Sequence, residues 1–286
     1  MLRPEDVWPV DREYEELYAS MTAVGREAAR HGDAVILSIA RNAMPHLANT
    51  LELVAEVAPR FRSCRMYVYE NDSVDGTADC LDAFAGRHPW ATVEHGVIGG
   101  PDSRGFEPER TVRLAACRNK CLEWARGNVP SATWVIVLDV DPHHGFSPDG
   151  VLNSVGWLVT KRTEPAVLRA AGMASFSLWA ESQGEGKPPQ IAHYDAYAAR
   201  PNWWRDRREE IGFGWFSMLL FPVGSPPVAM NSAFGGLAVY EGSAILAPGV
   251  RYEGGDCEHV PLHRSMRRAG FQMFLNPGSR YIAHWQ

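Results

Sequence analysis

The reading of this chain turns on Trp134-Val135-Ile136-Val137-Leu138-Asp139-Val140-Asp141-Pro142. Five consecutive large apolar residues run into two carboxylates one residue apart, and Pro142, with His143, His144 and Gly145 behind it, stops the strand. An all-apolar run of this length fits a parallel strand covered on both faces. Open parallel sheets bind ligands outside the carboxyl ends of their strands, which is where Asp139 and Asp141 fall. Two carboxylates at such a tip are hard oxygen ligands suited to Mg²⁺ or Mn²⁺, ions that commonly stay bound to substrate phosphates. Acidic pairs also end strands in ordinary turns, so the flanking sequence has to decide between the two.

The chain has 286 residues, 45% of them hydrophobic, enough for one large α/β domain. A formal net charge of −6 and a pI near 5.9 argue against a nucleic-acid binder held by phosphate contacts. An anionic small ligand bridged by a metal fits better. The five cysteines (64, 80, 117, 121, 257) form no C-x-x-C pair and no signal peptide is read ahead of them, which points to reduced thiols in the cytoplasm. No apolar run approaches the ~18 residues of a transmembrane segment.

Outward from the central stretch, the strand and helix signals alternate. Residues 1–32 read as an N-terminal helical decoration ending at His31-Gly32. Asp33 to Ala40 is an apolar strand with Arg41-Asn42 at its carboxyl end, followed by a helix from about Pro45 to Ala58. Arg65 to Tyr69 leads into Glu70-Asn71-Asp72-Ser73-Val74-Asp75-Gly76-Thr77, where Asp75-Gly76 turns and Asp75 or Thr77 caps the next helix. The plain reading is a capped turn; the one preferred is a polar rim, at the same sheet edge as Asp139, able to hydrogen-bond a base or ribose. A short strand over Thr92 to Val97 and a Gly/Pro-rich loop precede a helix from Glu109 to Arg126. Arg113 and Arg118 on that helix are five apart and do not share a face, so one of them, Arg118, is assigned to a bound phosphate. The alternation predicts an α/β fold with a mainly parallel central sheet. No G-x-G-x-x-G follows the first strand and no G-x-x-x-x-G-K-[ST] occurs, which excludes a dinucleotide dehydrogenase and a P-loop nucleotidase.

Ala40-Arg41-Asn42, the run from Glu70 to Thr77, Ala116-Cys117-Arg118-Asn119 and Leu138-Asp139-Val140-Asp141, in this order and spacing, resemble the nucleotide-sugar half of GT-A glycosyltransferases. Within that group the chain is most similar to the fungal capsule-associated α-1,3-mannosyltransferases and their bacterial relatives, through Arg118-Asn119-Lys120-Cys121-Leu122, Val137 to Asp141, and Tyr194-Asp195-Ala196-Tyr197-Ala198-Ala199-Arg200. The resemblance implies a GT-A (Rossmann-like) α/β/α sandwich over residues 33–286, divided into a nucleotide-sugar half (33–145) and an acceptor half (146–286). It implies that Arg41, Asn42, Glu70 and Asp72 line the nucleoside pocket and that Arg118 lies beside the donor. Asp139 and Asp141 would hold ribose and the metal-bound diphosphate. The acidic residue usual after Arg41-Asn42 is Ala43 here.

In the second half, Ser147-Pro148-Asp149 is a strong helix start with Ser147 as cap. Met173 to Ala180 reads as a strand. Residues 181–212 break the βα rhythm, and Tyr197, Trp203 and Trp204 there suit an amphipathic sugar acceptor or ordinary packing equally. Gly235-Gly236 before the apolar Leu237 to Tyr240 is a pattern for close backbone approach to a ligand, and it matches the GT-A segment that contacts the transferred sugar and acceptor. Asp256 and Glu258 open a helix whose dipole favours acids; the resemblance makes them the catalytic candidates, as base or as orienting group. His259 and His263 are spaced i,i+4, but without the Glu of H-E-x-x-H and with Pro261 between them they are not read as a zinc pair. The terminal strand Tyr281 to Trp285 carries His284, which resembles the C-terminal histidine that completes the metal shell in many GT-A enzymes.

The expectation is therefore a Mn²⁺- or Mg²⁺-dependent hexosyltransferase, with mannose the sugar suggested by the resemblance. Its partners are a nucleoside-diphosphate sugar (GDP- or UDP-sugar) and a glycan or small-molecule hydroxyl acceptor, with no nucleic acid. Two other readings stand beside it: a sugar nucleotidyltransferase, for which the Gly-rich basic loop after the first strand is missing, and a non-catalytic nucleotide-sugar or glycan-binding module.

Overall fold

The structure, a computed structural model, describes residues 3–99, 107–163, 168–185, 187, 189–202 and 218–285. In chain order its elements are α1 (Pro4–Val7), α2 (Glu15–His31), β1 (Asp33–Ala40), α3 (Leu47–Val57), β2 (Ser63–Asn71), α4 (Thr77–Arg87), β3 (Ala91–Gly96), α5 (Pro108–Asn128), β4 (Trp134–Leu138), α6 (Pro148–Thr163), β5 (Arg169–Glu181), β6 (Gln190–His193), β7 (Arg200–Pro201), β8 (Val228–Ser232), β9 (Leu237–Glu241), α7 (Gly242–Ile245), α8 (His259–Arg268) and β10 (Phe271–Trp285). No helix among the described residues is long and apolar enough to cross a membrane.

The strands form one mixed sheet in the order β3-β2-β1-β4-β9-β5-β10-β8-β7, with β6 on β5. Following the pairings, β3, β2, β1, β4, β5 and β10 all run the same way, while β9 and β8 are reversed. The sheet is thus mostly parallel, and its long strands deliver their carboxyl ends to one edge. Strand periodicity explains the layering. Val35, Leu37, Val135 and Val137 bury on one face with Cys117, Cys121 and Leu122 of α5. Ala34, Ile36, Trp134, Ile136 and Leu138 bury on the other with Leu51 of α3 and Leu152 and Val155 of α6. Five apolar residues in a row on β4 are needed because both faces are covered.

Two boundaries differ from the sequence reading. The terminal strand is the end of a 15-residue β10, not a short separate element. Pro277-Gly278, which would break most strands, is absorbed by a register shift between Asn276 and Arg280, where the Asn276 side chain accepts the Gly278 N–H at 2.9 Å. The helix expected to open with Asp256 and Glu258 begins at His259, with Glu258 as its N-cap.

The N-terminal segment is fastened to the sheet rather than trailing from it. Arg280 Nη1 donates to the Trp8 carbonyl at 2.8 Å, and the Trp8 ring lies 4.9 Å from that of Phe176. Helix α2 crosses α6 where a Cβ on Gly25 would collide with the Leu152 carbonyl and one on Gly156 with the Met21 carbonyl. Asn153, between them, donates to the Tyr18 carbonyl at 3.1 Å. Gly156→Ala is therefore expected to lower stability by ~1–3 kcal/mol through overpacking. Gly86→Ala in α4, where a Cβ meets nothing within 4 Å, should raise it by ~0.5–1 kcal/mol through helix propensity. Urea unfolding of both variants checks the pair; midpoints moving in the same direction would contradict the crossing geometry.

Candidate functional site

The loops after β1 and β2 are zipped together. Ala43 N–H donates to Thr77 Oγ1 at 2.8 Å, Met44 N–H to Asp75 Oδ2 at 2.9 Å, and Val74 N–H to Asn42 Oδ1 at 2.9 Å. Asn42 and Asp72 take left-handed φ values of 50° and 54°, a conformation that Asn and Asp tolerate better than most residues. The Glu70 carboxylate is buried and accepts from Ser73 N–H at 3.0 Å, with His95 Nδ1 at 2.8 Å. Hydrogen bonds donated to Glu70 and Asp82 hold His95 above its ordinary pKa. Asp72 Oδ2 accepts from the Ile98 amide at 3.0 Å; the Asn71 side-chain amide and that backbone amide hold its carboxyl below the usual range. Asn42, Glu70 and Asp72 thus brace the rim, and the residues that face inward from it are Arg41 and Asn71.

Inside the rim lies a cavity of about 300 Å³, within the size range of small-ligand sites. Its floor is the carboxyl end of β1 and β4, one wall is α5, and the other is the turn at 194–198 with the start of α8. Arg118 spans the floor. It is 5% exposed, donates from Nε to Glu258 Oε1 at 2.8 Å and from Nη2 to Asp139 Oδ1 at 2.9 Å, and lies 5.0 Å over the Phe234 ring. Burial alone would lower its pKa, but Asp139 and Glu258 outweigh that and hold it well above the ordinary value. Its Nη1 is buried without a hydrogen-bond partner among the described residues, a state that normally signals a missing acceptor. Arg110 and Arg113 of α5, three residues apart on one helix face, line the same cavity together with Arg118.

Asp141 keeps solvent contact at the cavity mouth, yet the enclosing walls and the neighbouring Asp139 carboxylate push its pKa up to about 6. Two carboxylates crowded at a strand tip, one of them paired with Arg118, fit a divalent cation by charge and by hard oxygen chemistry. The third ligand expected does not join them. His284 packs its ring 4.4 Å from His143, which stacks 4.2 Å from His46, and lies 5.7 Å from Trp179. Among the described residues no three His, Cys, Asp or Glu groups converge as a metal shell. A divalent metal here would be held by Asp139 and Asp141.

Of the two acids at the start of α8, Glu258 faces the cavity and Asp256 does not. Asp256 Oδ1 accepts from Nη2 of the fully buried Arg200 at 3.1 Å and from the Cys257 amide at 2.7 Å. Arg200 in turn donates from Nη1 to the Tyr197 and Ala199 carbonyls at 2.8 Å each. Asp256 is thus an anchor for the 194–200 segment. Tyr197 lines the cavity at 5% exposure; Trp203 and Trp204 lie outside the described residues. The Gly235-Gly236 pair serves close packing: a Cβ on Gly235 would collide with the Ser175 carbonyl and one on Gly236 with the Tyr281 ring. Gly236 also lines the cavity, and its carbonyl accepts the Asp139 N–H at 2.8 Å. His263 has both nitrogens occupied, by Ser232 Oγ and Tyr240 Oη at 2.9 Å each, which leaves none for a metal.

Sequence reasoning named Asn71, Arg113 and Asp195 within its motifs but gave neither them nor Arg110 an individual site role, and all four line the cavity. Asn71 stood in the polar run at the end of β2 and was available. Asp195 stood between Tyr194 and Tyr197 in a segment without periodicity, and only the fold brings it to the cavity wall.

No family model matches the chain, and no curated protein matches it. Solved structures do. TarS 1–349 of S. aureus in complex with UDP-GlcNAc superposes with a TM-score of 0.50 at 11% identity, over 89% of this chain and 59% of that one. GalNAc-T7 with UDP, GalNAc and Mn²⁺ superposes with a TM-score of 0.54 at 15% identity, over 89% and 44%. This chain therefore spans less than two thirds of either neighbour's length. At these identities the likeness shows the fold, which is the GT-A arrangement of a central, mostly parallel sheet between helices.

Proposed function

We infer that the chain is a divalent-metal-dependent glycosyltransferase that moves a hexose from a UDP- or GDP-sugar to a hydroxyl of a glycan or small-molecule acceptor. Mannose is the sugar favoured by the motif resemblance. The observation that carries this reading is the cavity floor: Asp139 and Asp141 at a strand tip, beside a buried arginine whose Nη1 has no acceptor among the described residues. A nucleoside diphosphate answers both features, since its phosphate oxygens accept from arginine and share a metal with carboxylates. That neighbours of the same fold were solved with UDP-GlcNAc, or with UDP and Mn²⁺, supports the donor class. The five cysteines form no disulfide, which suits the cytoplasm.

Arg41 and Asn71 face the nucleoside, on a rim stiffened by Asn42, Glu70 and Asp72. Arg118 with Arg110 and Arg113 attracts the diphosphate. A metal held by Asp139 and Asp141 would supply Lewis-acid neutralisation of the departing diphosphate. Glu258, paired with Arg118, orients the donor sugar, and Tyr197 and Gly236 border the acceptor side. The nucleotidyltransferase reading loses ground because the loop after β1 is bonded to Ser73, Asp75 and Thr77 and is not a free phosphate cradle.

Isothermal titration with UDP, GDP, ADP and CDP, each with and without Mn²⁺, followed by nucleotide release from UDP- and GDP-hexoses, tests the reading. Tight binding of UDP or GDP that requires Mn²⁺, with slow release of that nucleotide from a matching donor, is expected. Absence of both for every nucleotide would reject the glycosyltransferase; binding without release would favour the non-catalytic module.

A further inference from the structure

Four carboxylates line the cavity: Asp139, Asp141, Asp195 and Glu258. Asp139 and Glu258 share Arg118, and Asp141 stands at the cavity mouth beside Asp139. Asp195, like Asp141, makes no ion pair among the described residues, but it differs from Asp141 in being held by backbone amides: Oδ2 accepts the Gly235 N–H at 2.8 Å and Oδ1 the Ala198 N–H at 3.2 Å, while its own N–H donates to Ser177 Oγ at 3.3 Å. Each oxygen thus accepts one bond and keeps a lone pair free.

Its position is set by the same dipeptide that sets Asp139. Gly236 accepts the Asp139 N–H, and Gly235, one residue earlier, donates to Asp195. Gly235 and Gly236 both adopt left-handed φ, 69° and 78°, and are pinned against Ser175 and Tyr281. The Gly-Gly pair therefore acts as a rigid spacer between the diphosphate end of the cavity and a carboxylate on its opposite wall.

The geometry points to Asp195 as the catalytic base that receives the proton of the incoming hydroxyl, an assignment that rests on the glycosyltransferase reading above. The acceptor O–H proton passes to a free lone pair of the Asp195 carboxylate as the hydroxyl oxygen forms its bond to the anomeric carbon. The bond from that carbon to the diphosphate oxygen breaks, and its electron pair leaves with the nucleoside diphosphate. Water in the acceptor's place undergoes the same transfer and yields free sugar.

The surroundings suit a base working near neutrality. Burial, with Asp139 and Glu258 nearby, pushes Asp195 up to about 7 against the lowering effect of the Gly235 and Ala198 amides. The other groups facing it are Tyr194 on its own turn, with Tyr240 and Cys257 on neighbouring elements, all three held protonated by burial. Arg118 beyond them stays charged. A carboxylate must be ionised to accept a proton, so turnover should rise with pH through about 7 and level off above it.

The test uses the full chain, with UDP- and GDP-hexoses plus Mn²⁺ as probes and nucleotide release as readout. Asp195→Asn is expected to lower release by ~10²-fold or more and to abolish the rise of kcat/KM through neutral pH, with UDP or GDP affinity within about threefold of wild type. Asp195→Glu, which restores a carboxylate, should recover part of the rate and the pH limb. Wild-type release by Asp195→Asn, or a pH limb that survives in it, overturns the assignment. So does loss of rate in both variants in step with nucleotide affinity and melting temperature, which marks Asp195 as a brace for the 194–198 turn. A wild-type chain that binds no nucleotide and releases none rejects the glycosyltransferase itself, a different result from an active wild type with an equally active Asp195→Asn.

Discussion

Asp141→Asn is expected to weaken Mn²⁺-dependent binding of UDP or GDP by ~100-fold or more, since removing a direct ligand should cost at least as much as removing an outer-shell partner. The same substitution should leave the fold intact. Asp141 titrates at about 6, above the ordinary carboxylate value of 3.8, because the enclosing cavity and Asp139 disfavour its charge. A group whose folded pKa is raised opposes folding once the pH exceeds its unfolded value, so a neutral amide there relieves a cost. The urea midpoint of the metal-free variant should therefore equal or exceed that of the wild type at neutral pH. In the wild type, protons compete with the metal: Mn²⁺-dependent affinity should hold above about pH 6 and fall on acidification below it, by about tenfold per pH unit for one competing proton. Isothermal titration across pH 5 to 8 reads both effects. Undiminished Mn²⁺-dependent binding by Asp141→Asn would remove Asp141 from the site, and a lower urea midpoint would remove the charge-crowding explanation.

How much of this could be read from the chain alone depends on whether the signal is local. β1 and β4 were legible to the residue because an apolar run flanked by polar residues and a proline is a local pattern. The polar clusters at the ends of β1, β2 and β4 were placed at one edge for the same reason: parallel strands fix which end faces the ligand. What stayed hidden is set by contacts far apart in sequence. Asp256 and Glu258, two residues apart, looked equivalent until Arg200 took one and Arg118 the other, 56 and 140 residues away. The glycines at 235 and 236 announced a close approach, and the protein groups that approach them are Ser175 and Tyr281, while Gly236 also lines the cavity. His284 lies at the end of β10, which is bonded to the loop after β4 through Ile282 and Gly145, and its ring meets His143 and Trp179.

The second large effect is expected from Arg118→Met. Removing one partner of a buried ion pair leaves an uncompensated charge and typically costs ~3–5 kcal/mol, against a total stability on the order of 5–15 kcal/mol for a folded domain. Most of that loss should come through Glu258, whose side chain is 5% exposed; Asp139 at 32% can recover solvent when the guanidinium goes. The sign of the pH dependence follows. In the variant, Glu258 is buried without a cation, so its folded pKa rises above its unfolded one. The penalty is full where Glu258 is ionised in both states and shrinks as falling pH protonates it in the fold. Arg118→Met should therefore be much less stable than wild type at pH 8 and closer to it at pH 5. Adding Glu258→Gln removes the stranded charge, so Arg118→Met with Glu258→Gln should recover part of the loss at pH 8 and little at pH 5. Urea unfolding of the two variants at both pH values measures the coupling directly. If Arg118→Met loses the same stability at pH 5 as at pH 8 and the second substitution recovers none of it, Arg118 supports the floor by packing on Phe234 and Tyr252 rather than by balancing the two carboxylates.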